Sequence, residues 1–309
     1  MKAIYIERYG GPEVMILGQR PEPSPGANEV RIKVHAAGVN PLDWKARDGS
    51  VSEHLPQSPP FILGADVSGV VDSVGPGVTM FKVGDEVFGQ IGLLGGFAEY
   101  AVTAQTRLAR KPKNLDHTVA ASVPIPAMTA WQGLFREGGL KAGQRVLIHG
   151  AAGGVGGFAV QFAHHTGAHV IATASAPNHD YVRGLGADEL IDYRSAPFET
   201  KARDLDLVLD TQAGDTEERS WALIKRGGTL VSTVRTPSAE RAKAAGVTGK
   251  WVIGAPDAKG QDLARIAELL ETGVVKSTVQ TVLPMDQAAK GLEMSKAGHT
   301  RGKIVLRIV

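Results

Sequence analysis

The chain has 309 residues, 43 % hydrophobic and 21 % charged, an ordinary globular composition long enough for two cores. Its 34 basic and 32 acidic side chains are scattered, which argues against a nucleic-acid partner. The absence of cysteine excludes disulfides, thiolate nucleophiles and thiolate-based zinc sites, and no apolar stretch approaches the ~20 residues that span a bilayer. The alternating start MKAIYIERYGG lacks the apolar core of a signal peptide, so a cytoplasmic protein is expected.

The first 118 or so residues read as short strands punctuated by Gly and Pro. Val30–His35 alternates as a half-buried strand does, and Asp66–Val71 and Asp85–Phe88 are similar, so a small barrel or sandwich is expected. From Arg145 onward strands alternate with helices. Val146–His149, Val170–Ala172, Leu205–Leu209, Gly228–Ser232 and Trp251–Ile253 are predicted strands of a parallel sheet covered on both faces. A helix through Leu263, Ile266 and Leu270 follows, then Val279–Val282, a short helix near 287–294 and a final strand over 303–308. A terminal strand of this kind completes a sheet begun elsewhere. The expected organisation is therefore an α/β domain over 125–254 inserted into a discontinuous domain of residues 1–124 and 255–309.

Gly150-Ala151-Ala152-Gly153-Gly154-Val155-Gly156 stands between a predicted strand and a predicted helix. Small residues there allow a tight turn, and the helix N-terminus offers unpaired N–H groups to a pyrophosphate. A dinucleotide site is expected, with a merely tight structural turn as the alternative. An NAD site places an acid about 20 residues further on, to bond the ribose 2′-hydroxyl. Ser175 stands nineteen residues after Gly156, followed by Asn178 and His179. The missing acid favours NADPH over NADH, although no Arg or Lys occupies that loop.

Several segments carry a resemblance to a known family: HAAGVNPLDWKARDG at 35–49, FILGADVSGVVDSVGPGVTMFKVGDEVFG at 61–89, GGFAEYAV at 95–102, IPAMTAWQGLF at 125–135, LGADELIDYR at 185–194 and GKIVLR at 302–307. Together with the glycine turn they resemble the medium-chain dehydrogenase/reductase superfamily, and within it the zinc-free quinone oxidoreductase group. The resemblance implies a GroES-like barrel domain, a Rossmann domain and an active-site cleft between them. It places Thr129 beside the nicotinamide, with an ordinary helix hydroxyl as the alternative, and Tyr193 near the adenosine 2′-phosphate, with simple packing at a strand end as the alternative. In the zinc alcohol dehydrogenases of the superfamily a cysteine stands at the position of Asn40, and a His-Glu pair at Ala65 and Asp66. The segment between Phe88 and Gly95 is too short for the four-cysteine structural zinc lobe of those enzymes, so both zinc sites are expected to be absent.

Without a Lewis acid, hydride acceptors that delocalise negative charge themselves are favoured, namely quinones and α,β-unsaturated carbonyls. The family places the Asn40 segment at the nicotinamide end, where Asn40 is a candidate donor to substrate or cofactor; capping the turn before Pro41 is the alternative. Lys45, with Asp43, is a candidate for enolate stabilisation or proton relay, against a solvated Lys–Asp pair. Asp210, Thr211, Val231 and Ser232 follow or end strands, at the edge where doubly wound sheets bind ligands, with a plain strand-end turn as the alternative for Asp210 and Thr211. Lys303 is a candidate for cofactor or substrate contact, against a solvated position. Competing functions are an enoyl-thioester reductase and a non-catalytic NADPH-binding sensor or crystallin-like protein. By analogy, a homodimer is expected to pair through the edge strand near Trp251, which would otherwise be an aggregation risk.

Overall fold

A computed structural model describes residues 1–252, 254 and 260–309. In chain order the first elements are β1 (Lys2–Ile6), β2 (Ile16–Gln19), β3 (Glu29–Val39), α1 (Pro41–Asp48), β4 (Phe61–Ile62), β5 (Asp66–Val74), β6 (Glu86–Gln90), β7 (Tyr100–Ala104), β8 (Leu108–Arg110), α2 (His117–Ala121) and α3 (Pro124–Trp131). Strand–helix alternation follows: β9 (Arg145–Ile148), α4 (Gly154–Thr166), β10 (His169–Thr173), α5 (His179–Gly184), β11 (Glu189–Ile191), β12 (Leu205–Asp210), α6 (Asp215–Ser220), β13 (Ile224–Ser232), α7 (Ala239–Ala245) and β14 (Thr248–Trp251). The chain ends in α8 (Gln261–Glu271), β15 (Val279–Pro284), α9 (Ala288–Ala297) and β16 (Lys303–Arg307). Two compact units result. One takes in Met1–Ile125, Pro256–Gly273 and Ser277–Val309; the other takes in Pro126–Ala255 and Val274–Lys276.

In the first unit β3 is the central strand. Val30, Ile32 and Val34 alternate into the core, and from Ala36 onward the strand is buried on both faces. There it needs small residues: a β-carbon on Gly38 would fall 2.3 Å from the Ala121 carbonyl of α2. The seven-stranded sheet runs β15-β16-β3-β5-β6-β8 with β7 also on β3, and a three-stranded sheet runs β2-β1-β4. β16 pairs antiparallel with β3, Ile304 opposite Val39, so the last strand does complete a sheet begun early in the chain. This register sets Lys303 beside the start of α1.

The second unit is a six-stranded parallel sheet in the order β11-β10-β9-β12-β13-β14, the 3-2-1-4-5-6 order of a Rossmann domain. Val146, Leu147 and Ile148 of β9 and Leu207, Val208 and Leu209 of β12 are buried, as central strands covered on both faces require. All six strands run the same way, so their carboxyl ends share one edge. The order reverses between β9 and β12, and that is where such sheets bind ligands. The predicted strand at Trp251–Ile253 is displaced. β14 ends at Trp251 because its ladder with β13 starts at Thr248, and Ile253 lies outside the described residues. Among the described residues no helix is long and apolar enough to cross a membrane.

Candidate functional site

The glycine turn follows β9 at the point of strand reversal. Gly150 has φ +67, a left-handed conformation open to glycine, and a β-carbon there would fall 2.5 Å from Thr211 Oγ1. Three amides are engaged within the fold: Gly150 N donates to Thr173 Oγ1 (3.3 Å), Ala151 N to Thr173 O (3.1 Å) and Gly153 N to Gly150 O (3.0 Å). Gly153 then caps α4 with no side-chain bond, which leaves the first-turn amides of Gly154, Val155 and Gly156 as donors. A β-carbon on Gly156 would fall 2.3 Å from the Gly150 carbonyl, so that glycine brings the helix against the turn. A β-carbon on Gly153 would meet only the Gly150 oxygen, at 3.4 Å. The turn is closed on its protein side and open beside Gly153, and α4 runs 13 residues behind it. These features fit a pyrophosphate.

Beside it, β10 and β11 end together, Thr173 opposite Ile191. Ser175 leads a short helical turn in which Asn178 Nδ2 donates to Ser175 Oγ (3.2 Å), and His179 Nε2 lies 3.2 Å from the Ala174 carbonyl. Tyr193 is half exposed just past β11, and the Arg194 guanidinium lies 5.6 Å from its ring centroid. The loop after β10 holds no Arg or Lys, and Arg194 lies instead just past β11. The neighbouring strand delivers a cation to the same sheet edge.

The remaining carboxyl-edge residues divide. Thr211 Oγ1 donates to the His149 carbonyl (2.8 Å), tying the ends of β9 and β12 together. Asp210 is buried, accepting from Gln212 N, Ala213 N and Thr216 Oγ1, so its side chain holds the turn rather than facing a ligand. Val231 and Ser232 are fully buried, and Ser232 Oγ accepts from Val234 N. Any ligand contact from this strand end would come from backbone. Thr129 is buried, and a β-carbon on Gly254 would fall 2.0 Å from its Oγ1; only glycine allows this approach.

In the first unit the structure rules out the solvated alternatives for Asp43 and Lys303, and it joins both to Asn40 in one buried cluster. Pro41 opens α1 with its φ preset, and Asp43 reaches back to accept from Asn40 N at 2.6 Å. Asp43 is 1 % exposed, so it forms no solvated pair with Lys45. Nor is Lys303 solvated. Its ammonium donates to Asn40 Oδ1 (2.7 Å) and to the Val39 carbonyl. Asn40 Nδ2 in turn donates to Asp66 Oδ2 (3.0 Å), and Ile125 N donates to the same carboxylate. The Asn40 carboxamide, 2 % exposed, is thus engaged on both its oxygen and its nitrogen inside the protein. Burial pushes the carboxyls of Asp43 and Asp66 up to about 7 against the pull of the Lys303 ammonium, and burial pulls Lys303 down. In the sequence Asp66 stands out only as the residue at a zinc-ligand position of the related alcohol dehydrogenases, with no sign of its contacts to Asn40 and Ile125.

Lys45 projects from α1 half-buried, its ammonium 5.5 Å from the Trp44 ring centroid, with Lys296 Nζ at 5.4 Å from the same ring. Trp44 itself packs against the hydrophobic core. Among the described residues no three His, Asp or Glu side chains are grouped so as to hold a metal ion.

Residues 26–113 match the family model of the alcohol dehydrogenase GroES-like domain, and residues 185–306 that of the zinc-binding dehydrogenases. The mitochondrial NAD(P)H oxidoreductase RTN4IP1 of Homo sapiens is 35 % identical, over 100 % of this chain and 89 % of its own. The quinone oxidoreductase of Rattus norvegicus is 33 % identical over 99 % and 97 %. Among solved structures, the quinone oxidoreductase of Coxiella burnetii superposes with a TM-score of 0.93 at 32 % identity, covering 100 % of this chain and 99 % of that one. That of Escherichia coli complexed with NADPH gives 0.90 at 26 % identity, covering both chains fully. The CurK enoyl reductase gives 0.91 at 27 % identity, over 100 % and 99 %.

Proposed function

Because the chain belongs to the quinone oxidoreductase group of the medium-chain dehydrogenase/reductase superfamily, we propose that it transfers hydride from NADPH to a quinone or α,β-unsaturated carbonyl without zinc. The observation that carries the reading is the uncapped glycine N-terminus of α4 at the strand-reversal point, with Ser175 rather than an acid at the neighbouring strand end.

The amides of Gly154, Val155 and Gly156 hold the pyrophosphate, aided by the partial positive charge of the helix end. Ser175, Asn178, His179 and Tyr193 form the 2′-phosphate end, and Arg194 supplies the cation that the loop after β10 lacks. NADPH, when bound, supplies the hydride. Thr129 serves the nicotinamide end. The backbone ends of β12 and β13, at Thr211 and Ser232, line the remaining edge.

Zinc independence has a chemical basis in the first unit. Asn40 and Asp66 stand where the zinc enzymes carry ligands, and the Lys303 ammonium already takes the Asn40 oxygen there. Asp66 accepts from Asn40 and Ile125, so the cluster has its cation and its donors. Of the α1 residues, Lys45 remains for the enolate or hydroquinone oxygen. A conjugated acceptor moves incoming charge onto that oxygen, and one ammonium stabilises it.

Purified protein mixed with NADPH and a panel of quinones, enones and enoyl thioesters, followed by nicotinamide absorbance, tests the reading. Turnover confined to enoyl thioesters would favour the enoyl reductase alternative, which the likeness to the CurK enoyl reductase keeps open. Pairing through β14, the last strand of its sheet, with Trp251 40 % exposed, completes the proposal as a homodimer. Elution at twice the chain mass is the corresponding check.

A further inference from the structure

We infer that His149 is the positioning residue of the phosphate-binding turn, holding the Gly150 amide inward through the Thr173 hydroxyl so that α4 alone presents donors to the pyrophosphate. The inference rests on the dinucleotide reading of the glycine turn.

His149 lies immediately after β9, 1 % exposed, with the Phe198 ring edge-on at 4.7 Å. Both of its nitrogens are placed. Ser220 Oγ donates to the Thr216 carbonyl over 2.6 Å, so its lone pair is left to accept from His149 Nε2, at 3.0 Å. With the proton on Nε2, Nδ1 is an acceptor, and Thr173 Oγ1 stands 3.2 Å from it. The Thr173 oxygen then accepts from Gly150 N at 3.3 Å. One directional chain therefore runs from α6, through the imidazole and the end of β10, to the first amide of the turn. The His149 carbonyl is fixed too, by Thr211 Oγ1. Burial pushes the imidazole down to about 4, opposed by Asp210 and Glu199 and reinforced by Arg219, so the ring stays neutral and Nδ1 keeps its acceptor role.

An apolar residue at 149 would leave the Thr173 hydroxyl free to turn and release the Gly150 amide. An open turn then has to be ordered when the dinucleotide binds, and affinity falls. Asparagine, whose carboxamide oxygen reaches the position of Nδ1, restores the acceptor for Thr173.

The test measures NADPH dissociation constants by fluorescence, and amide hydrogen exchange of Gly150 and Ala151 in the dinucleotide-free protein, for the full chain. His149→Phe keeps the ring against Phe198 and should weaken NADPH roughly tenfold and speed exchange at both amides. Thr173→Val should do the same, the double variant should be no weaker than the worse single one, and His149→Asn should return to within about threefold of wild type. Folded His149→Phe or Thr173→Val that binds NADPH within twofold of wild type overturns the inference. So does His149→Asn as impaired as the phenylalanine variant. A wild-type protein that binds neither NADPH nor NADH removes the dinucleotide reading itself, a result distinct from these.

Discussion

The Lys303 ammonium, in the last strand, donates to the side-chain oxygen of Asn40 at the start of the first helix over 2.7 Å, both residues buried. It is the cation that lets Asp43 and Asp66 lie beside it in the core. Lys303→Met would leave those carboxyls without it. Losing one partner of a buried charge cluster costs about 3–5 kcal/mol. Urea unfolding at about pH 8, above the titration of both carboxyls, should register a loss of that size, and a loss under 1 kcal/mol there would show that Lys303 is no counter-ion.

The same cluster sets a pH dependence. Below about pH 4 the Asp66 carboxyl is protonated in folded and unfolded chains alike. Between pH 4 and about 7 the unfolded chain ionises while the folded one holds its proton, so unfolding is progressively favoured; above 7 the effect is constant. Asp66→Asn removes this titration. Wild type should therefore lose stability relative to Asp66→Asn as pH rises from 4 to 7. A difference that stays flat, or moves the other way, counts against the raised carboxyl.

Cofactor choice should respond to two strand ends. Ser175→Asp brings an acid that repels a 2′-phosphate and accepts from a ribose hydroxyl, so the preference should move to NADH. Arg194→Ala should raise the KM for NADPH roughly tenfold, as expected for one hydrogen bond to a charged group, and leave NADH unchanged. Equal effects on both cofactors would remove Arg194 from the 2′-phosphate site.

Lys45→Met should lower kcat roughly a hundredfold, the scale of one lost oxyanion donor, with NADPH affinity within twofold. Unchanged kcat would remove Lys45 from the chemistry.

The sheets were legible because apolar β9 and β12 and alternating β3 carry their periods openly, and the glycine turn announces itself by composition. What a side chain touches across the fold was not. Lys303 and Asn40 lie 263 residues apart, and only the β16–β3 register brings them together. Asp43 reads as a surface acid by its type, yet α1 turns it inward to accept from the Asn40 amide. Arg194 and Ser175 belong to different loops that share an edge because β10 and β11 are parallel neighbours. His149 sits at the end of an apolar run and carries no mark of the chain of hydrogen bonds it joins. Residue type and local period place elements; long-range register decides which polar groups meet.

The proposed reaction is hydride delivery from NADPH to a conjugated acceptor without zinc. The direct measurement is the loss of reduced-nicotinamide absorbance when quinones and enones are added to metal-stripped protein with NADPH, repeated with NADH. Turnover with a quinone or enone, faster with NADPH and unaffected by the stripping, is the predicted result. No turnover with any of them while NADPH still binds, or turnover restored only by zinc, would contradict it.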